Sequence, residues 1–211
     1  MPRELDLATW PRRPHFDFFR TFDQPFFNLC AEVDVTALVE RCSGPGSPSF
    51  FLASLFLCLR AANEVEPMRY RLRGDRVIVH EVIHGGSTLL RPDETFAFAY
   101  FDFQPDFEAF AAAAGPVIEE VKSGPPRLEP RPEQDDLIHF SPIPWVSFTS
   151  FAHARRVVPG DSVPKIVFGK HHASGSRRLL PISVEVHHAL ADGLHVGRFL
   201  ARFEELLAAG V

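Results

Sequence analysis

Long apolar stretches along the chain predict helices. The segment SFFLASLFLCLRAAN at 49–63 is almost continuously apolar, which is typical of a largely buried helix. Asp106 is a candidate N-cap for another helix, which Gly115-Pro116 is expected to bend or break. In GLHVGRFLARFEELLAAG at 193–210, large apolar side chains recur at helical spacing: Phe199, Phe203, Leu206 and Leu207.

Shorter stretches with β-branched, aromatic or alternating residues predict strands. These strands are expected at 76–83, 94–103, 145–151, 165–169 and 181–188. Strands and helices mix without a strict strand–helix–strand repeat. The predicted fold class is therefore α/β, with a mixed β-sheet and helices packed on it.

Length and composition favour one domain. The chain has 211 residues, of which 45% are hydrophobic and 23% charged, and this suits one globular core of useful size. Two stretches dense in proline, glycine or charge, at 43–48 and 123–136, predict loops. The composition does not shift across either stretch, so we expect a single domain over residues 1–211.

Charge and cysteine usage argue against several classes of partner. The net charge is −5 and no long run of lysine or arginine is present, which disfavours nucleic-acid binding. The 3 cysteines are odd in number and form no CxxC, so reduced thiols are expected. The N-terminus lacks an apolar leader, and the apolar run at 50–59 is too short for a bilayer, which takes about 20 residues. We therefore expect a cytoplasmic protein that does not bind a membrane.

The strand predicted at 181–188 ends in two adjacent histidines. Because side chains alternate along a strand, Val186 and His188 share the apolar face, and Glu185 and His187 share the polar one. His188 is either a buried histidine bonded to a backbone carbonyl or a general base, since a desolvated neutral imidazole can take a proton near neutral pH. Neither histidine belongs to an HExxH motif or adjoins a cysteine cluster, so no metal site is predicted.

Two other features stay open on the residues alone. Asp192 precedes Gly193 where the last helix begins, so it is either an N-cap or a group with a direct chemical role. The 21 phenylalanines, against 2 Tyr and 2 Trp, serve either the core or an apolar pocket for an aromatic ligand, and the core is the commoner location. No GxSxG, P-loop or GxGxxG motif points to a rival chemistry.

Several segments together resemble one known family. HHALADGLHVGR at 187–198 resembles the HHxxxDG signature of the chloramphenicol acetyltransferase superfamily, which 2-oxoacid dehydrogenase acyltransferase cores and peptide-synthetase condensation domains share in related forms. PWVSFTSF at 144–151 and TWPRRPHFDFF at 9–19 resemble segments of the chloramphenicol acetyltransferases proper. MRYRLRGDRVIVHEVI at 68–83 and DETFAFAYFDF at 93–103 fall in the expected order between them. The resemblance covers almost the whole chain and implies a two-layer sandwich.

This resemblance implies an acetyl-CoA-dependent O-acetyltransferase that inactivates chloramphenicol. His188 is then the general base that activates the acceptor hydroxyl, and Ser141 donates a hydrogen bond to the oxyanion. Asp192 forms a salt bridge with Arg12 that holds the active-site loop, and His187 is a structural neighbour. The family also implies a homotrimer whose active sites lie at subunit interfaces, with acetyl-CoA and acceptor entering from opposite ends of a tunnel.

The resemblance also implies an acceptor pocket walled by aromatic rings: Phe18, Phe19, Phe27, Phe96 and Phe151. Some residues depart from the family pattern at this pocket. Phe19 stands where a tyrosine is usual, and Val167 where many members have a threonine. His153 and Lys165 occupy positions that are commonly apolar. Two alternatives therefore stay open: the same chemistry on a different small hydroxylated molecule, and a non-catalytic binding module that keeps the fold.

Overall fold

Helices and strands follow one another irregularly along the chain. The computed structural model describes residues 2–131, 133–155, 158 and 160–211. The helices are α1 (Arg13–Phe19), α2 (Thr36–Arg41), α3 (Phe50–Glu64), α4 (Phe107–Ser123) and α5 (Gly193–Ala209), with a 3₁₀ turn at Glu66–Arg69. The strands are β1 (Arg3–Glu4), β2 (Phe26–Asp34), β3 (Tyr70–Arg73), β4 (Arg76–Val79), β5 (His84–Leu90), β6 (Phe96–Phe101), β7 (Leu137–Pro142), β8 (Lys165–Phe168), β9 (His172–Ser174) and β10 (Arg177–His187).

Most strands join one 7-stranded mixed sheet in the order β2-β10-β8-β7-β5-β6, with β9 pairing beside β10. Strand β7 runs parallel to both β5 and β8, and the other neighbours are antiparallel. Strands β1, β4 and β3 form a separate 3-stranded sheet. Helices α3, α4 and α5 pack on one face of the large sheet. The predicted mixed α/β sandwich is thus confirmed.

The apolar core lies between this sheet face and the helices. Val184 and Val186 of β10 are buried there beside Ile166 and Phe168 of β8. Nearly every residue in the central part of α3 is buried, which explains its continuously apolar sequence. Six of the largest fully buried side chains are phenylalanines: Phe16, Phe56, Phe110, Phe140, Phe199 and Phe203. A good part of the phenylalanine surplus therefore serves the core.

The opposite face of the sheet is polar but also covered. Ser183, Glu185 and His187 of β10 point to this face and are buried. Arg155, which belongs to the segment between β7 and β8, lies over this face and donates to Glu185 at 2.8 Å. Both faces of β10 are therefore enclosed, and the polar side chains between the sheet and this segment form what we call the polar layer.

The predicted helices occur where the apolar pattern indicated them. Helices α3 and α5 match the predicted segments within a residue or two at each end. Asp106 caps α4 by accepting a hydrogen bond from the amide of Ala109 at 3.0 Å. The predicted break at Gly115-Pro116 is wrong, because α4 continues through Pro116, and its buried residues on both sides hold it against the core. None of the described helices combines the length and hydropathy needed to cross a membrane.

The strand predicted at 145–151 is wrong. These residues follow a turn at Pro144 and form no strand in the described structure. They are held by separate bonds instead of a ladder: the Lys170 amide donates to the Val146 carbonyl at 2.8 Å, and the Asn28 side chain donates to the Phe151 carbonyl at 2.6 Å. Most residues of this segment are exposed, including Trp145 and Val146, so its alternating pattern does not mark a buried face.

Arg71 fixes the start of β7, the strand that carries Ser141. Its guanidinium is fully buried and donates to the carbonyls of Tyr70 at 2.6 Å, Asp135 at 2.6 Å and Leu137 at 2.6 Å. Burial lowers the pKa of Arg71 to about 10, so the group stays charged at neutral pH. Backbone carbonyls solvate the buried cation. Because Arg71 lies on β3 and bonds a carbonyl of β7, it links the 3-stranded sheet to the 7-stranded sheet.

Replacing Arg71 with methionine should destabilise the protein. The change leaves several buried carbonyls without a donor, and we expect the free energy of unfolding to fall by at least about 2 kcal/mol. Urea unfolding followed by circular dichroism measures this. Arg76→Met on the exposed side of the adjacent strand is the matched control, with an expected change within about 0.5 kcal/mol. Equal losses of stability in the two variants would contradict the view that the buried hydrogen bonds of Arg71 stabilise the fold.

Candidate active site

His188 lies immediately after the end of β10, and its position is held by both backbone and ring contacts. Its amide donates to the carbonyl of Pro25 at 2.7 Å, and its carbonyl accepts from Arg12 at 3.1 Å. The imidazole stacks on Phe19, with 3.8 Å between ring centroids and 8° between planes, and Phe27 lies 4.6 Å away on a tilted plane. The Nδ1 atom is buried and has no hydrogen-bond partner among the residues that the structure describes. Aromatic rings therefore set the orientation of this imidazole.

His187 is buried and shapes the turn that carries His188. Its Nδ1 accepts a hydrogen bond from the amide of Ala189 at 3.2 Å, and its carbonyl accepts from Leu190 at 2.9 Å and Ala191 at 3.1 Å. Burial, reinforced by the positive charge of Arg155, lowers the pKa of His187 to about 4. The ring is thus neutral at physiological pH and acts as an acceptor for the backbone.

Asp192 joins the turn to α1 and α5. Its carboxylate forms an ion pair with Arg12, whose guanidinium also bonds the His188 carbonyl. The same carboxylate caps α5 by accepting from the amide of Leu194 at 3.0 Å, and it lies 2.7 Å from Nδ1 of His195. Burial alone would raise the pKa of Asp192, but the charges of Arg12 and His195 outweigh it and lower that pKa. Asp192 is therefore both a helix cap and an ion-pair partner.

Ser141 lies near the end of β7, where two cavities meet. One cavity, of about 490 Å³, borders the polar layer, and we call it the polar cavity. The other, of about 650 Å³, is lined mainly by apolar groups including Trp145 and Leu90, and we call it the apolar groove. Thr88, Phe96 and Ser141 line both. The Ser141 hydroxyl has no hydrogen-bond partner within the described part of the chain, so it is available to a ligand.

The polar cavity is lined by basic side chains. His139, His153, Arg155 and Lys165 all border it, and Asp161 is the acidic residue among its described lining. Burial, with the charge of Lys165 next in size, lowers the pKa values of His139 and His153 to about 4. Burial also lowers the pKa of Lys165, and Arg155 adds to this shift. The cavity therefore presents neutral imidazoles beside a lysine.

His188 and Ser141 do not meet within one chain. Ser141 pairs with Val167, which pairs with Ser183 of β10, so His188 lies two strands across and five residues further along. Strands are about 4.8 Å apart and rise about 3.3 Å per residue, which separates the two Cα atoms by about 19 Å. A base and an oxyanion donor must both lie about 3 Å from the reacting group. The two residues predicted for these roles are therefore too far apart to act together within one chain, and we call their surroundings the two half-sites.

The predicted aromatic residues divide between these half-sites. Phe18, Phe19 and Phe27 cluster on the side of His188, and the Phe18 and Phe19 rings are 5.0 Å apart. Phe96 and Phe151 line the apolar groove beside Ser141. Phe18 is 61% exposed and Phe96 is 49% exposed in the single chain. Such exposure of large apolar rings is typical of surfaces that another molecule covers.

Some residues of the site were not identified from the sequence. His195, His139 and Arg155 were not singled out by any motif, although the partner of His195 is Asp192, only three residues away. His195 stands at the third position of α5, where a capping-box residue is expected, and this was the one available signal. No cluster of His, Cys, Asp and Glu that could hold a metal ion occurs among the described residues.

Comparison with known proteins places the whole chain near one group. The family described as chloramphenicol acetyltransferase matches residues 3–204. A chloramphenicol acetyltransferase of Streptomyces acrimycini is 35% identical, covering 98% of this chain and 94% of that one. Chloramphenicol acetyltransferase 3 of Escherichia coli is 30% identical, with coverages of 96% and 95%. A solved chloramphenicol acetyltransferase structure matches with a TM-score of 0.89 at 29% identity, over 97% of this chain and 99% of that one.

The buried neutral histidines predict a loss of stability in mild acid. His187 has a pKa of about 4 in the folded protein against 6.5 as the ordinary value, so the unfolded chain binds its proton first as pH falls. The stabilisation is complete above about pH 6.5 and is lost as the pH falls toward 4: about 2 kcal/mol is lost by pH 5 and about 3 kcal/mol by pH 4 for this residue. Urea unfolding at intervals between pH 7 and pH 5 measures it.

His187→Gln is the variant that tests the assignment. It removes the titrating group and keeps a polar side chain, so its unfolding free energy should fall less steeply between pH 7 and pH 5 than that of the unaltered protein. If the unfolding free energy of the two proteins falls equally with pH, His187 does not contribute to the acid sensitivity.

Proposed function

The chain belongs to the chloramphenicol acetyltransferase family, and we propose that it transfers the acetyl group of acetyl-CoA to a hydroxyl group of chloramphenicol. As a member of this family it is an acyltransferase, so the non-catalytic binding module considered from the sequence is set aside. We treat residues 1–211 as one acetyltransferase domain. The observation that carries the proposal is the imidazole of His188, buried at Nδ1 and clamped between aromatic rings.

In this reaction His188 is the general base. Because Nδ1 is enclosed, we assign the proton-accepting role to Nε2, which takes the proton of the acceptor hydroxyl as its oxygen attacks the thioester carbonyl. The new carbon–oxygen bond gives a tetrahedral oxyanion, to which the Ser141 hydroxyl donates a hydrogen bond. Collapse of the intermediate breaks the carbon–sulfur bond, and the imidazolium returns its proton to the departing thiolate. Free CoA and the acetyl ester result.

Asp192 and Arg12 hold the base without taking part in proton transfer. Arg12 bonds both the Asp192 carboxylate and the His188 carbonyl, so the ion pair fixes the backbone of the base. The Asp192 carboxylate is occupied by Arg12, His195 and a helix amide. We therefore assign both residues to positioning.

Complete sites would form between neighbouring subunits. The separation of about 19 Å between Ser141 and His188 supports a site that takes its base from one subunit and its oxyanion donor from the next. The exposed rings of Phe18 and Phe96, one at each half-site, fit surfaces that another subunit covers. A cyclic homotrimer repeats this contact at each interface and leaves no half-site unmatched.

The two cavities suit two substrates that meet at Ser141. The apolar groove, which has the exposed Trp145 at its rim, fits the pantetheine arm of acetyl-CoA. The polar cavity lies on the other side of Ser141 and would hold the acceptor. Phe18 and Phe19 would complete its wall from the subunit that supplies His188. The two substrates would then approach the imidazole from opposite directions.

Removing the base should abolish most of the activity. We expect His188→Ala to lower kcat for chloramphenicol acetylation about 10² to 10⁴-fold, because the acceptor hydroxyl loses its proton acceptor. Release of the CoA thiol, followed with a thiol reagent, measures the rate. His187→Gln is the matched control and should stay within about tenfold of the unaltered enzyme at neutral pH. Full activity in His188→Ala would disprove the assignment of the base.

Mixed oligomers test whether each site is shared between subunits. His188→Ala and Ser141→Ala chains are each expected to be poorly active, the latter by about 10² to 10³-fold. When equal amounts are unfolded together and refolded, random assembly of a cyclic trimer restores an intact pair at about a quarter of the interfaces. Activity should therefore recover to about a quarter of the unaltered level.

The control mixtures combine each single variant with the double variant. Neither can place an intact His188 opposite an intact Ser141, so neither should recover activity. Failure of the two single variants to complement each other would mean that base and oxyanion donor come from the same chain.

A further inference from the structure

Lys165 lies in the polar cavity with most of its hydrogen-bonding capacity unused. It is half-buried at the start of β8, and its Nζ donates to the carbonyl of Ala154 at 3.1 Å. An ammonium group has three donors, so others remain for a ligand. No described carboxylate lies within ion-pair distance of this nitrogen.

The carboxylates near Lys165 already form ion pairs with another side chain. Arg155 bonds Glu185 at 2.8 Å and Asp161 at 2.6 Å, and its third donor goes to the Val163 carbonyl at 3.0 Å. Both acids therefore have Arg155 as their direct partner. Lys165 lies opposite Glu185 across the β8–β10 ladder, but no described carboxylate is its direct ion-pair partner.

His153 adds an unused polar atom to the same wall. Its Nε2 has no hydrogen-bond partner among the described residues, and its ring packs edge-on against Phe151 with 4.9 Å between centroids. This nitrogen has no accessible surface in the observed ring position, so the ring must turn toward the cavity, which His153 lines, before Nε2 can donate to a ligand oxygen. Buried polar atoms are normally paired, and a ligand oxygen would supply the partner that this one lacks.

We propose that the polar cavity selects an aromatic hydroxyl acceptor that carries an anionic group, a carboxylate in the simplest case, bound by Lys165 and His153. The proposal rests on the transferase function above, since it names the substrate class of the same site. Phe96, Phe98 and Tyr100 line the cavity and supply the surface for the aromatic ring. The reacting hydroxyl then lies beside Ser141 and faces the His188 imidazole of the neighbouring subunit.

Two acceptors of nearly the same shape test the effect of the ligand's negative charge on binding. 4-(Hydroxymethyl)benzoate and 4-nitrobenzyl alcohol share a ring, a reacting hydroxyl and two terminal oxygens, and differ mainly in charge. The experiment measures the Kd of each for the native oligomer by titration calorimetry or by shifts of histidine ring signals in NMR. It also measures acetyl transfer to each compound from acetyl-CoA, with chloramphenicol as a third acceptor.

We expect the carboxylate to bind about 10 to 100 times more tightly than the nitro compound, because a hydrogen bond to a charged group in a desolvated site is the stronger kind. Added salt should weaken binding of the carboxylate alone. Lys165→Met should remove most of the preference and leave binding of the nitro compound nearly unchanged. Lys122→Met, which removes an exposed lysine of α4, is the matched control and should keep the preference.

Equal or tighter binding of the nitro compound overturns the proposal, as does a failure of the carboxylate to bind. If Lys165→Met does not fold, His153→Leu removes the unpartnered nitrogen instead and should also reduce the preference. Acetyl transfer decides a separate question. If chloramphenicol and both alcohols are left unacetylated, the transferase function fails, while the binding comparison still decides the preference of the cavity.

Discussion

The pairing of β10 with β2 on one side and β8 on the other is the constraint on which the site depends. Side chains alternate along a strand, so a slip of one residue would move every side chain to the opposite face. In the observed register, Val184 and Val186 enter the core while Glu185 and His187 enter the polar layer. His188 consequently emerges where β10 ends and β2 begins, within reach of Phe27. The same register separates His188 from Ser141 and divides the site.

The polar layer follows from burying the second face of β10. Glu185 is enclosed there, and a buried carboxylate needs a partner, which Arg155 supplies. Arg155 also forms an ion pair with Asp161, so one guanidinium links two acids, one before β8 and one on β10. Positive charge and desolvation together disfavour protonation of the nearby imidazoles, which are therefore neutral. Neutral donors and acceptors in this desolvated layer can bind a ligand, because burying them costs less hydration free energy than burying charged groups.

The sequence predicts those parts of the molecule that local patterns determine. Helices α3 and α5 and strands β6, β8 and β10 follow from periodicity, because each has an apolar face or is apolar throughout. Strands β2, β5 and β7 were missed, since each includes polar residues or glycine and is stabilised by its neighbours in the sheet. The segment 145–151 has the pattern of a strand but no partner. In the site, the HHxxxDG resemblance singled out His188, whereas the role of Arg155 depends on its contact with Glu185, 30 residues further along the chain.

His188, the proposed base, needs a source of orientation and charge stabilisation other than a carboxylate partner. In many hydrolases an aspartate bonds the catalytic imidazole, fixes its tautomer and stabilises the imidazolium. No described carboxylate contacts the imidazole of His188, and Asp192 is committed to Arg12 and His195. Phe19 provides the orientation by stacking on the ring at 3.8 Å. In the proposed reaction the faces of Phe19 and Phe27 would also attract the imidazolium through their quadrupoles once it holds the proton. A phenyl ring achieves this without placing a negative charge beside the oxyanion that forms at the same moment, and this favours an aromatic clamp over a carboxylate in a site where both charges develop together.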